Sequence, residues 1–279
     1  MNNKAKRWVK TFFFFLLLAV ISLYALIPFY YGLLSSLKTG SALFQVDYFP
    51  KNFDFSNYLA IFQKGNFVAN FFNSLLVSSG VVFVSLLLGV FASYSLARIE
   101  FRGREGLLML ILACSMFPQV AVLAGLFELI GYLHLFDSLW SLIFSYMIFT
   151  IPFTVWVLTT FMREFPKDLE NAAWMDGASI FEMIFKIVLP VMWPALVSVG
   201  LLSFIAAWNE LLFALTFISV VEKRTIPVAI ATLTGASEFE IPWGSIMAAS
   251  MIVTLPLIFL VILFQNKITS GLTAGAVKG

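Results

Sequence analysis

"LENAAWMDGASIFEMIFKIVLP", Leu169 to Pro190, lies between two long apolar runs and decides how this chain is read. It is too polar to lie in lipid and too helical to be a slack connector. Pro166 suits a first helical turn, where its missing N–H would be unpaired anyway, and Asp168 favours the positive end of the helix dipole. Leu169, Ala172 and Ala173 then share a face at i, i+3, i+4 spacing. Asp176-Gly177 ends the helix, because glycine is free to adopt a left-handed cap. Ser179 and Glu182 form a capping box that opens a second helix. That helix is apolar (Ile180, Phe181, Met183, Ile184, Phe185, Ile187) and stops at Leu189-Pro190. A short polar helix with a face of small residues, followed by a greasy one, reads as a docking element in preference to a helix pair resting on headgroups.

The rest of the chain says where such an element would stand. Of 279 residues, 61% are hydrophobic and 11% charged, whereas soluble domains carry about 25% charged residues. The solvent is lipid. The single Cys114 excludes a disulfide framework. The basic residues are dispersed, so no nucleic-acid patch exists. After Lys4, Lys6, Arg7 and Lys10 comes an apolar run too long for a signal peptide and lacking a cleavage site, which predicts an uncleaved anchor.

A bilayer core of about 30 Å needs roughly 20 apolar residues per helix. Runs of that length fall at about 12–37, 69–97, 106–130, 139–162, 191–219 and 244–265. The expected fold is therefore all-α, a polytopic membrane protein with six transmembrane helices forming one membrane domain over 1–279. Lys and Arg number 12 in the N-tail, 98–105, 163–190 and the C-tail, against five in the alternate connections. By the positive-inside rule both termini, and the 163–190 loop, are cytoplasmic.

Polar residues within spans mark a candidate path: Asn73 and Ser74 in the second run, Gln119 and Glu128 in or near the third, Asn209 and Glu210 in the fifth. Glu210 reads equally well as a helix–helix contact. Trp156, Trp193 and Trp208 fit an interfacial belt better than a sugar platform. No phosphate-binding G-x-x-x-x-G-K-[ST] loop occurs, so any ATP would be hydrolysed elsewhere. His134 is the only histidine, which rules out a two-histidine metal site, and no G-x-S-x-G precedes it. A secondary transporter would be expected to show inverted repeats, and none is evident.

Asn171-Ala172-Ala173, Gly177, Ile187, Leu189 and Pro190 match the spacing E-A-A-x₃-G-x₉-I-x-L-P of the loop found in membrane subunits of ABC importers. With "FFNSLLVSSG" (71–80), "YSLARIEFRGRE" (94–105), "WNELLFALTF" (208–217) and "GLTAGAVKG" (271–279), the chain resembles the MalG-type carbohydrate permeases.

The resemblance implies a type I importer permease in a prokaryotic cytoplasmic (inner) membrane, a transport subunit and not an enzyme. It implies a second, MalF-like permease, two ATPase subunits that carry ATP and Mg, and an external sugar-binding protein, with no cofactor on this chain. Leu169, Glu170, Asn171, Ala172, Ala173, Asp176, Gly177, Leu189 and Pro190 would couple to the ATPase. Asn73, Asn209 and Glu210 would line the path of the sugar. The outer segment 220–243 would reach the binding protein, and Gly271, Leu272, Thr273, Ala274 and Gly275 would extend toward the ATPases. Alternatives are an importer permease for a non-sugar solute, or a secondary transporter. One position departs from the pattern: Asn171 stands where the family has Glu, whose expected pairing with a basic ATPase residue is lost. An exposed ion pair contributes at most about 1 kcal/mol, so docking is expected to survive.

Overall fold

Helices account for nearly all regular structure in the computed structural model, which describes residues 3–45, 47–49, 53–63, 66–234 and 241–274. In chain order they are α1 (Asn3–Ser36), α2 (Ser56–Gln63), α3 (Phe67–Arg98), α4 (Arg104–Ser115), α5 (Gln119–Tyr132) and α6 (Leu139–Glu164). Then follow α7 (Lys167–Met175), α8 (Ile180–Glu182), a π-helical stretch Met183–Val188, α9 (Leu189–Val191), α10 (Trp193–Trp208), α11 (Leu212–Phe217), α12 (Ile226–Ala231) and α13 (Trp243–Ala274). No strand occurs among the described residues.

Four stretches are long and apolar enough to cross a membrane unbroken: Arg7–Ser36, Phe67–Arg98, Leu139–Glu164 and Trp243–Lys267. The count reaches six when each of two bent pairs is taken as one span. The expected third run is bent by 92° between α4 and α5, where Pro118 occupies the N-cap of α5 and cannot extend α4. The expected fifth run, 191–219, is not continuous either. Its helix α10 stops at Trp208, and α11 restarts at Leu212. At its other end α10 meets α9 across Met192, and Ile180–Val191 is bent by 80° from Trp193–Trp208.

Packing groups the chain into two compact units. The first comprises Met1–Gly65 with Thr232–Thr254. In it, buried Asn57 on α2 donates through Nδ2 to the carbonyls of Ser36 and Lys38 (both 2.9 Å), satisfying the end of α1. Gly244 lets α13 approach that amide, since a Cβ there would lie 2.5 Å from Asn57 Nδ2. The apolar window of α1 has no residue buried within the chain, so this helix contributes little to any core.

The second unit, Asn66–Ala231 with Leu255–Gly279, holds the main packing. α3 and α6 lie together along small residues, the usual solution where lipid offers no hydrophobic drive to associate helices. Ser85 and Thr150 share a hydrogen bond of 2.8 Å between them. Two large apolar clusters lie in this unit, beside a smaller one of Leu96, Leu108 and Val155. One joins Tyr94, Ala97, Met162, Phe165, Ala173, Met183, Ile184 and Val188 near the Arg98 end of α3. The other joins Val77, Val81, Leu126, Ile143, Tyr146, Phe213 and Phe217 toward its Asn66 end.

Candidate functional site

Around α7 the local sequence dictates most of the geometry. Pro166 stands at the N-cap, one position before the first turn it was expected to occupy. Gly177 adopts φ +78°. Around it Ala178 N donates to Ala173 O at 3.0 Å, and Gly177 N to Trp174 O at 3.1 Å. This is a Schellman closure, and only glycine enters its left-handed position without strain. Ser179 and Glu182 then form the expected reciprocal capping box, with Lys186 ion-paired to Glu182 at 2.8 Å. Beyond it Met183, Ile184 and Val188 are buried, while Phe181 and Phe185 meet the ring of Phe91 at 6.2 Å.

The faces of α7 differ from the expectation. Leu169, Asn171, Ala172, Trp174, Met175 and Asp176 are exposed, with Met175 at 88%. Ala173 is buried in the chain's own cluster. At about 100° per residue, Ala172 and Ala173 cannot both centre on one face. The inward pair is Glu170 and Ala173, one turn apart, while Leu169, Ala172 and Asp176 look outward. Leu189 is partly buried and Pro190 exposed, beyond the π-helical stretch.

Glu170 is likewise not a free surface carboxylate. Its Oε1 accepts from Arg98 Nε at 2.6 Å and Arg98 Nη2 at 2.5 Å. Both side chains are about nine-tenths buried, with relative exposures of 9% and 8%. Arg98 Nη2 also donates to the carbonyl of Phe165 at 2.9 Å, and the guanidinium lies 5.9 Å from the Phe165 ring centroid. The sequence reading used Arg98 only as a charge on a loop. The hint was available: a lone cation at the last position of an apolar helix needs an anion or a carbonyl within reach.

At the other end of α3 a row of polar residues meets a single turn of chain. Asn70 Nδ2 donates to the carbonyls of Val221 (2.9 Å) and Arg224 (2.8 Å). Asn73 Nδ2 donates to those of Glu222 (2.8 Å) and Arg224 (3.1 Å), and Ile226 N donates to Ser74 Oγ (2.8 Å). Asn66 adds a bond to the Glu222 carboxylate at 3.2 Å. Asp137 holds the preceding residues, accepting from Ser219 N (2.6 Å) and Val220 N (2.9 Å). Those contacts hold its carboxyl below the usual aspartate range: the Val220 N–H most, opposed by burial and helped by Ser219 and Lys223.

Asn73 is thus spent on loop carbonyls. Asn209 caps α10, donating to Ile205 O at 2.8 Å. Glu210 is buried and accepts from Phe213 N (2.9 Å) and Ala214 N (3.2 Å), capping the start of α11. Each of the three expected path residues has a structural bond to the backbone. Trp208 is 1% exposed between Phe204 and Phe71, so the belt reading fails for it, while Trp156 and Trp193 remain exposed. In the tail, Gly271 to Ala274 continue α13; Gly275 and residues 235–240 of the expected binding-protein segment 220–243 lie outside the described residues.

Residues 85–273 match the family model described as "Binding-protein-dependent transport system inner membrane component". The chain is 40% identical over 256 residues to the trehalose transport system permease protein SugB of Mycobacterium tuberculosis (strain CDC 1551 / Oshkosh), covering 92% of this chain and 93% of that one. It is 44% identical over 214 residues to the trehalose/maltose transport system permease protein MalG of Thermococcus litoralis (strain ATCC 51850 / DSM 5473 / JCM 8560 / NS-C), covering 77% of each. Its fold matches a chain in the crystal structure of a bacterial ABC transporter that imports the polysaccharide alginate, with TM-score 0.78, 24% identity and coverage of 95% and 98%. The chain belongs to the family of inner membrane components of binding-protein-dependent transport systems, and is a multi-pass ABC importer permease subunit, a transport protein and not an enzyme.

Proposed function

We propose that this permease serves an ATP-driven carbohydrate importer, with α7 docking into an ATPase subunit in trans. In this reading both termini and the 163–190 loop are cytoplasmic, a MalF-like second permease completes the membrane pore, two ATPases bind ATP and Mg, and a sugar-binding protein delivers from outside. The observation that carries it is the outward face of α7. Leu169, Trp174 and Met175 are exposed around a helix that is held to the chain by Glu170 and Ala173. Exposed apolar side chains on a polar helix beyond the membrane suit a protein cleft better than water. The trehalose and maltose named for two relatives support a sugar over other solutes.

The test is co-purification of the ATPase chains with Met175→Glu, which places a charge at the most exposed apolar position of the helix. Loss of the ATPases from an intact membrane fraction is expected; undiminished co-purification would refute docking through α7. Uptake of labelled trehalose and maltose into proteoliposomes, against an amino acid and an oligopeptide, tests the substrate class. Transport of either non-sugar with neither sugar moving would favour the alternative of a non-sugar importer.

A further inference from the structure

α3 is bonded at one end to the loop that the proposed function makes cytoplasmic and at the other to the turn at 219–226, in the segment that the sequence reads as outer. Its last residue, Arg98, is ion-paired to Glu170 of α7. Its first turns hold the carbonyls of Val221, Glu222 and Arg224 through Asn70 and Asn73. From Asn70 to Arg98 the helix spans roughly 42 Å at 1.5 Å per residue. No proline interrupts it, and its capped end closes regularly, with Ile99 N donating to Ser95 O. A continuous helix of this kind is stiff along its axis, and a rigid element bonded at each end can carry coupling between distant sites.

The grip on α7 is narrow. Of Lys167 to Met175, only Glu170 and Ala173 are buried. Ala173 offers a single methyl group to the cluster, which can slide. The Arg98 fork cannot: it holds one carboxylate oxygen with two nitrogens and the Phe165 carbonyl with one of them, so translation in any direction strains a charge-assisted bond. Both ionic groups are shielded from water, which leaves neither with an alternative partner at low cost.

We propose that the Arg98–Glu170 pair is a latch that ties the docking helix to α3, and that α3 acts as a strut carrying displacements of α7 to the turn at 219–226. Glu170 is accordingly a positioning residue facing into the permease, not a contact for the ATPase. This rests on the docking reading of α7 given above.

The test uses the assembled transporter in nanodiscs, with MgATP plus vanadate as the only probe. Hydrogen exchange is followed separately over 167–176 and over 219–226. In the parent, nucleotide trapping is expected to change protection at 219–226 by tenfold or more. In Glu170→Gln the ATPases should remain bound and α7 protected, while the change at 219–226 falls below twofold. Arg98→Lys keeps the charge but loses the fork, and should give the same loss. Asn70→Ala combined with Asn73→Ala removes all four amide bonds at the far end of the strut and should abolish the response while leaving 167–176 unaltered. A parental response at 219–226 in both Glu170→Gln and Arg98→Lys would overturn the latch. So would a parent whose 219–226 segment ignores nucleotide. If Met175→Glu keeps the ATPases while Glu170→Gln sheds them, the docking reading fails instead, and the latch with it.

Discussion

Gly89 offers the sharpest quantitative check on the packing of the second unit. A Cβ at this position would stand 2.4 Å from Thr154 Cγ2, 3.4 Å from Thr154 Cβ and 3.6 Å from Leu158 Cδ1. Thr154 is β-branched and lies in the interior of α6, so its methyl has few rotamers to move into. Gly89→Ala should therefore carry an overpacking penalty of about 1–3 kcal/mol. Against that, alanine gains about 1 kcal/mol in helix propensity. The net expectation is a loss of about 0–2 kcal/mol, or a drop of up to about 8 °C in the unfolding midpoint at ~4 °C per kcal/mol. Gly80 is the control on the same helix. There the nearest atom is Ile143 Cδ1 at 2.9 Å, the tip of a flexible side chain that can turn aside. Gly80→Ala should keep most of the propensity gain and raise the midpoint slightly. Thermal unfolding in detergent micelles reads both. Adding Thr154→Ser removes the obstructing methyl, so the double variant should recover stability beyond additivity by about 1–3 kcal/mol. If Gly89→Ala melts with Gly80→Ala, and the cycle closes within about 0.5 kcal/mol, the close approach of α3 and α6 at this level is wrong.

Three further outcomes follow from local contacts. Asn70→Ala removes two hydrogen bonds to loop carbonyls, worth about 0.5–1.5 kcal/mol each, so trypsin should cut after Lys223 or Arg224 about tenfold faster; an unchanged rate would dismiss the Asn70 amide as a restraint. Asp137 has a depressed folded pKa, so its clamp is fully present above the usual aspartate value near pH 4 and is lost as pH falls through the lower folded value. Exchange protection of the Ser219 and Val220 amides should collapse in that acid window in the parent, and Asp137→Asn should lack both the transition and the high-pH protection. Gly177→Val forces a β-branched residue to φ +78° at a site where its Cβ meets nothing, so the cost is conformational alone, about 1–2 kcal/mol. Amide exchange of α7 should quicken in Gly177→Val and stay near parental in Gly177→Asn; equal rates in the two would refute the left-handed cap.

What the sequence yielded and what it withheld divide along physical range. The cap at Gly177 and the box from Ser179 to Glu182 were legible because their donors and acceptors lie within a few residues. The helical runs were legible because lipid forces apolar length. The breaks at 116–118 and 209–211 were not, since hydropathy measures greasiness and carries no direction. Trp208 looked like a belt residue, and the partners of Glu210 could not be named, because a polar or amphipathic group in a span has several possible partners and only packing selects among them. Arg98 and Glu170 are 72 positions apart. Asn66, Asn70 and Asn73 do share a helical face by spacing, but their acceptors are mostly backbone carbonyls, which have no signature in any sequence.

The wide turns at Met183–Val188 carry a consequence for insertions and deletions. Leu189 N reaches back five residues, to Ile184 O, where an α-helix would reach back four. Such a bulge stores one surplus residue per wide turn. Removing a single residue between Phe185 and Ile187 would let the strand of bonds relax to ordinary α geometry while α8 and α10 keep their rotational phase. The same deletion in the middle of α3 would swing everything beyond it by about 100° and turn Arg98 out of phase with the polar row at the other end. In the stretch that follows α8, length can thus drift by a residue without turning either neighbour around.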